Sequence, residues 1–76
     1  MKSAQEIGRD LRIVRGERTR QAVAKELGIS ESAIGMYETG KRIPKDEIKM
    51  KLAKCYGVSI EDLFFGRVLT DSEDEV

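Results

Sequence analysis

A chain of 76 residues can bury only about 60% of the surface its unfolded form exposes, which leaves room for one hydrophobic core and excludes a second. A single cysteine, Cys55, and the lack of histidine exclude an internal disulfide and argue against a metal site. With no signal peptide or long apolar run, the chain is expected to be a soluble cytoplasmic protein without cofactor or membrane anchor. Fourteen Lys or Arg balance fourteen Asp or Glu, but unevenly: residues 1–60 carry thirteen cations against eight anions, net +5, and residues 61–76 carry one against six, net −5. The body is basic and the end acidic, so a net charge of zero does not exclude a polyanionic partner for the body.

Ser3, Ala4, Gln5 and Glu6 form a capping-box pattern, and Ile7, Leu11 and Val14 follow at helical spacing, which predicts a first helix from Ala4 to Arg15 ended by Gly16. The opposite side of that helix, with Arg9, Arg12 and Arg15, reads as a solvated face. Thr19 caps a second helix with Val23, Ala24 and Leu27 inward, and Ser30 caps a third with Ala33, Ile34 and Tyr37 inward. Between them Gly28 can take the left-handed conformation that ends a helix, and Ile29 drops into the crevice. Helices joined in this way cross steeply and leave one face of the second free to enter a major groove, so residues 20–39 read as a helix-turn-helix motif.

Gly40 closes the third helix, and Lys41, Arg42, Ile43, Pro44 and Lys45 form a basic loop. A fourth helix is predicted from Lys45 or Asp46 to Tyr56, with Ile48, Leu52, Ala53 and Tyr56 inward, a lysine-rich outer side, and Gly57 at its end. Ser59, Ile60, Glu61 and Asp62 start a last short helix whose Ile60, Leu63 and Phe64 can cover the open end of the core. The fold expected is therefore all-α, a compact five-helix bundle over residues 1–66. Residues 67–76, with Asp71, Glu73, Asp74 and Glu75, are expected to form an acidic, disordered tail.

Taken together, Ile7 to Phe64 resembles the Cro/CI-type, or XRE, helix-turn-helix family of small all-helical regulators, of lambda-repressor-like type. The resemblance rests on Val23, Ala24 and Leu27 to Ser30, then Ile34, Tyr37, Glu38 and Gly40, then Lys41 to Pro44, and finally Leu52, Ala53, Gly57 to Ser59, Leu63 and Phe64. It implies a recognition helix over residues 31–38 with Glu31, Ser32, Ala33, Gly35 and Met36 at base edges and Ser30 as its cap. Ser32 can hydrogen-bond several bases, Ala33 and Met36 can meet thymine methyls, and Glu31 can accept from a cytosine amino group. Gly35, costly in a helix, makes sense where DNA must come close. The phosphate contacts implied are Arg20, Gln21, Thr39, Lys41, Arg42 and Lys45. The family often has glutamine at the position of Arg20, bonded to the residue that opens the recognition helix. Here Arg20 and Glu31 carry opposite charges, which predicts an ion pair holding Arg20 toward the DNA backbone.

What the resemblance implies is a sequence-specific double-stranded DNA-binding transcriptional regulator, a repressor, acting as a homodimer on a palindromic operator. The dimer surface is expected around Glu61, Phe65 and Arg67. An enzyme is disfavoured by the absence of histidine, of a nucleophile–base pair and of a phosphate loop, and by too little mass for a deep pocket. The competing reading is a protein-binding module, an antitoxin or antirepressor on the same fold, because the recognition helix offers few hydrogen-bonding side chains and the tail is acidic.

The tail generates a prediction of its own. A segment of that charge either serves only to keep the chain soluble or competes with phosphate for the basic body, and competition predicts that truncation after Thr70 tightens binding to random-sequence duplex at low salt. Folding stability should stay unchanged and the effect should vanish as salt is raised. Equal affinities of the full-length and truncated chains at low ionic strength would rule the competition out.

Overall fold

Ser3 sits in extended backbone ahead of the first helix, its hydroxyl accepts from the Glu6 amide at 3.1 Å, and the Glu6 carboxylate accepts from the Ser3 amide at 2.9 Å. This reciprocal cap is the predicted capping box, and the Ser3 amide holds the Glu6 carboxyl below the usual carboxylate range. It opens α1 (Ala4–Arg15), the first element in a computed structural model that describes residues 1–66. There follow α2 (Arg20–Leu27), α3 (Glu31–Glu38), α4 (Asp46–Tyr56) and a π-helical turn, Glu61–Phe65. The tail at residues 67–76, with Arg67 of the expected dimer surface, lies outside the described residues.

The two caps of the motif form as read. Thr19 Oγ1 accepts from the Ala22 amide at 3.0 Å, and Ser30 Oγ accepts from the Ala33 amide at 3.0 Å. Gly28 ends α2 in the left-handed region, φ 72° and ψ 31°, which lets the Ile29 amide reach back to the Ala24 carbonyl at 3.0 Å. Ile29, half-buried, lies against the core between the two helices.

The core draws on every element: Ile7 and Leu11, then Val23, Ala24 and Leu27, then Ile34 and Tyr37, then Leu52, then Leu63 and Phe64. Burial of such side chains contributes about 1.5–3 kcal/mol each, so the ten together outweigh any single polar contact. Leu63 and Phe64 are fully buried, and the last element covers the open end of the core as predicted, although it is wound as a π-helical rather than an α-helical turn. Ser59 accepts from the Asp62 amide at 3.0 Å to start it.

Three polar residues sit where the sequence reading had solvent or gave no place. Asp10 is fully buried and its Oδ2 accepts from Lys2 Nζ at 2.8 Å. The same ammonium donates to the Asp62 carbonyl oxygen, and the Lys2 amide donates to the Phe64 carbonyl oxygen at 3.0 Å. These bonds tie the N-terminal residues to the last turn. Lys49 departs from the lysine-rich outer side of α4: it is buried, 3.6 Å from Asp46, with its ammonium 4.9 Å from the Phe65 ring centre and 5.7 Å from that of Phe64. Its stem covers apolar surface while its charge lies over aromatic faces.

α1 crosses the C-terminal end of α3 at very short range. At Gly8 a Cβ would stand 2.7 Å from the Tyr37 carbonyl oxygen and closer still to that of Glu38, and at Gly40 a Cβ would stand 3.3 Å from Gln5 Cα. Both groups at Gly8 are backbone and cannot turn aside. Gly8→Ala should therefore destabilise the fold by about 1–3 kcal/mol, although alanine is the better helix former by about 1 kcal/mol. A thermal or denaturant melt checks this, and a variant as stable as the parent would show that the two helices can separate without loss.

Candidate nucleic-acid interface

α3 has two unlike sides. Ile34, Tyr37 and Glu38 face the interior, whereas Glu31, Ser32 and Thr39 are exposed and Gly35 and Met36 half-exposed. The outer side floors a shallow groove of about 520 Å³ lined by Arg20, Glu31, Ser32, Gly35, Met36, Thr39 and Lys41. Seven of the twelve residues assigned to DNA from the sequence thus converge there. Of the rest, Gln21, Arg42 and Lys45 are exposed outside the groove, Ser30 is spent on capping α3, and Ala33 is half-buried against the core.

The basic end of the groove is held by the backbone. The Lys41 and Arg42 amides both donate to the Met36 carbonyl oxygen, at 3.0 and 3.3 Å, so the loop folds back onto the C-terminal turn of α3. Cations are favoured at that end of a helix dipole. Thr39 turns its hydroxyl inward, donating to the Gly35 carbonyl oxygen at 3.0 Å.

The Arg20 side of the groove depends on Glu38. Its carboxylate, 2% exposed, accepts Arg15 Nε at 2.6 Å on one oxygen and Arg15 Nη2 at 3.0 Å on the other. Arg20 Nε donates to the second oxygen at 3.1 Å. These hydrogen bonds, outweighing burial, hold the Arg15 guanidinium still more firmly protonated than a free one. Two expectations are corrected here. Arg15 does not lie on a solvated face with Arg9 and Arg12, and Arg20 pairs with Glu38 rather than Glu31. The reason is dielectric: a pair with exposed Glu31 would be worth about 0–1 kcal/mol, whereas a buried carboxylate attracts the same cation more strongly and cannot be left unpaired. The signal in the sequence was Glu38 itself, a charged residue one position after Tyr37 and four after Ile34 on an apolar stripe.

Gly35 borders the Arg20 guanidinium: a Cβ there would stand 3.4 Å from Arg20 Nη1, in ordinary van der Waals contact. The opposite side of the motif carries a separate polar group. Arg18 Nη2 donates to Glu26 Oε1 at 2.6 Å and to Cys55 Sγ at 3.4 Å, and its guanidinium lies 5.9 Å from the Tyr56 ring centre. Burial pushes the Cys55 thiol up and Tyr56 up to about 12, so both are neutral at physiological pH and neither is a nucleophile in waiting.

The helix-turn-helix family model matches residues 9–63, most of the chain and all of the groove. An uncharacterized HTH-type transcriptional regulator of Methanocaldococcus jannaschii is 44% identical over 46 residues, 60% of this chain and 70% of that protein. The cryptic phage CTXphi transcriptional repressor RstR of Vibrio cholerae is 38% identical over 68 residues, 90% of this chain but 56% of that protein, so the chain spans little more than half of the latter's length. No solved structure matches at comparable significance.

A substitution at Gly35 separates the needs of the fold from those of the groove. At 3.4 Å an added methyl makes ordinary contact with the Arg20 guanidinium, so Gly35→Ala should raise stability by about 0.5–1 kcal/mol through helix propensity while crowding the approach of a base edge to α3. Melting curves check the first effect and DNA titrations the second, which should weaken. A destabilised Gly35→Ala would mean that the methyl and the Arg20 guanidinium cannot share that space.

Proposed function

The chain belongs to the Cro/CI-type, or XRE, helix-turn-helix family, and on that premise we propose that it is a sequence-specific DNA-binding transcriptional regulator, a repressor, which docks α3 in the major groove. The observation that carries this reading is the outer side of α3. Ser32, Gly35 and Met36 lie on the side of α3 turned away from the core, in a groove that Arg20 and Lys41 also line, with Arg42 exposed next to Lys41. Ser32 and Gly35 are small enough to let the helix approach the base edges, and Lys41 and Arg42 beside its C-terminal turn can take phosphates. The names borne by the two relatives support the same reading. Nothing in it calls for catalysis, a cofactor or a membrane; no helix among the described residues is long and apolar enough to cross one. Such a protein works in the cytoplasm.

The reading includes a homodimer on a palindromic operator. One recognition helix with few base-reading side chains discriminates weakly, and a second half-site, one helical turn or about 34 Å away, roughly doubles the specific free energy. Phe65, 43% exposed beside Lys49, supports the end of the bundle as the place where two copies meet.

Selection from random duplexes tests the function directly. Enrichment of a two-fold symmetric sequence with half-sites about one turn apart is expected. No enriched sequence at all would favour a protein-binding module, the antitoxin or antirepressor alternative. Lys41→Ala and Arg42→Ala should weaken specific and random DNA alike and reduce the slope of log K against log salt by about one unit each. An unchanged slope in both would mean that the proposed docking is wrong.

A further inference from the structure

Building on the regulator reading, we propose that Arg20 reads sequence: its guanidinium, oriented by Glu38, donates to the edge of a guanine in the major groove rather than to a phosphate. Arg15 alone supplies a donor to each oxygen of the Glu38 carboxylate, so the second arginine is not required to satisfy that group. What the 3.1 Å bond from Arg20 Nε does is fix the orientation of Arg20. With Nε engaged, the Nη1 and Nη2 groups make no hydrogen bond among the described residues, and the Arg20 side chain stays 39% exposed. A guanidinium held in this way presents its remaining donors as a fixed fork, the geometry that matches guanine O6 and N7.

The position of the fork favours a base over the backbone. Nη1 lies 3.4 Å from where a Gly35 Cβ would be, above the middle of the exposed side of α3, where base edges come when that helix enters a groove. Lys41 and Arg42, in the loop bonded back to Met36 at the C-terminal end of α3, are the residues proposed above for phosphate. Glu31, which lines the same groove as Arg20, would repel a phosphate brought there. The other side chains on this face offer little: the Thr39 hydroxyl donates to its own helix, Met36 has no donor, and Ser32 has a single hydroxyl. Arg20 is thus the strongest available donor in the groove, carried by α2 across a gap that Gly35 leaves open. Glu38 is its positioning residue.

The experiment is selection from random duplexes with the parent chain and with Arg20→Gln, Arg20→Ala and Glu38→Gln, followed by titrations of the selected operator over a range of salt. The parent is expected to select a guanine at one position in each half-site. Arg20→Ala should lose that preference alone, with roughly tenfold or greater loss of affinity for the parent operator. Arg20→Gln should lose it or exchange guanine for adenine, since a side-chain amide matches adenine N6 and N7. Glu38→Gln, with folding checked by circular dichroism, should relax the same position and leave the others unchanged, whereas a merely structural role would weaken all sequences uniformly. If Glu38→Gln does not fold, the exposed Arg20 variants decide. The proposal is overturned if both Arg20 variants select the parent sequence while the salt slope falls by about one unit, the mark of a phosphate contact. A parent chain that enriches no sequence would instead remove the regulator reading and this inference with it.

Discussion

A carboxylate taken out of water must be paired, and Glu38 is the group on which that constraint falls. It lies at the end of α3, 23 residues from Arg15 and 18 from Arg20, and those two partners belong to the last turn of α1 and the first turn of α2. One buried anion therefore sets three helix ends relative to one another. Removing one partner of a buried pair generally costs about 3–5 kcal/mol, a large share of the marginal stability available to a domain of this size. The crossing of α1 over α3 serves the same junction: with Gly8 against the Tyr37 and Glu38 carbonyls, the two backbones come close enough for Arg15 to reach the carboxylate.

Two points of α1 are held by the same kind of device. Arg15 secures the C-terminal end to α3, and Lys2, just ahead of the helix, ties its middle at Asp10 to the final π-helical turn. The apolar core between them supplies most of the stabilisation, but hydrophobic contact is non-directional and tolerates some sliding of helices. Ion pairs with short, directed hydrogen bonds select one arrangement. The surface pair Arg18–Glu26, with side chains 41% and 53% exposed, is screened and contributes far less.

This scaffold leaves the outer side of α3 free of structural duties. Ser32, Gly35 and Met36 do not enter the core, and the loop at Lys41 and Arg42 is fixed by backbone bonds that spend none of their side-chain donors. Rigidity and chemistry are thus assigned to opposite sides of one eight-residue helix, and Arg20 is the side chain that belongs to both. A helix of eight residues can be presented precisely only if the rest of the domain does the holding.

All five elements, their caps and most of their inward residues were legible in the sequence because those signals are local: Ser3 and Glu6, Thr19, Gly28, Ser30 and Gly57 act within one turn, and apolar residues recur every three or four positions. The exposed face of α3 and the basic loop beside it were legible for the same reason. Missed were the pairings. Arg9, Arg12 and Arg15 look alike along the chain, yet only Arg15 is brought to Glu38, and Arg20 could be matched with Glu31 until the crossing of α1 on α3 put a buried carboxylate nearer. Lys49 among the lysines of α4 gave no local sign of the Phe64 and Phe65 rings, and Asp10 beside Leu11 none of Lys2, whose ammonium also reaches the Asp62 carbonyl 60 residues away in the chain. The sequence by itself determined where helices start, stop and turn their apolar sides, since those are properties of one turn at a time. Only the tertiary structure decided which charges are buried and whom they meet, because the cost of burying a charge exists only once distant segments have closed around it.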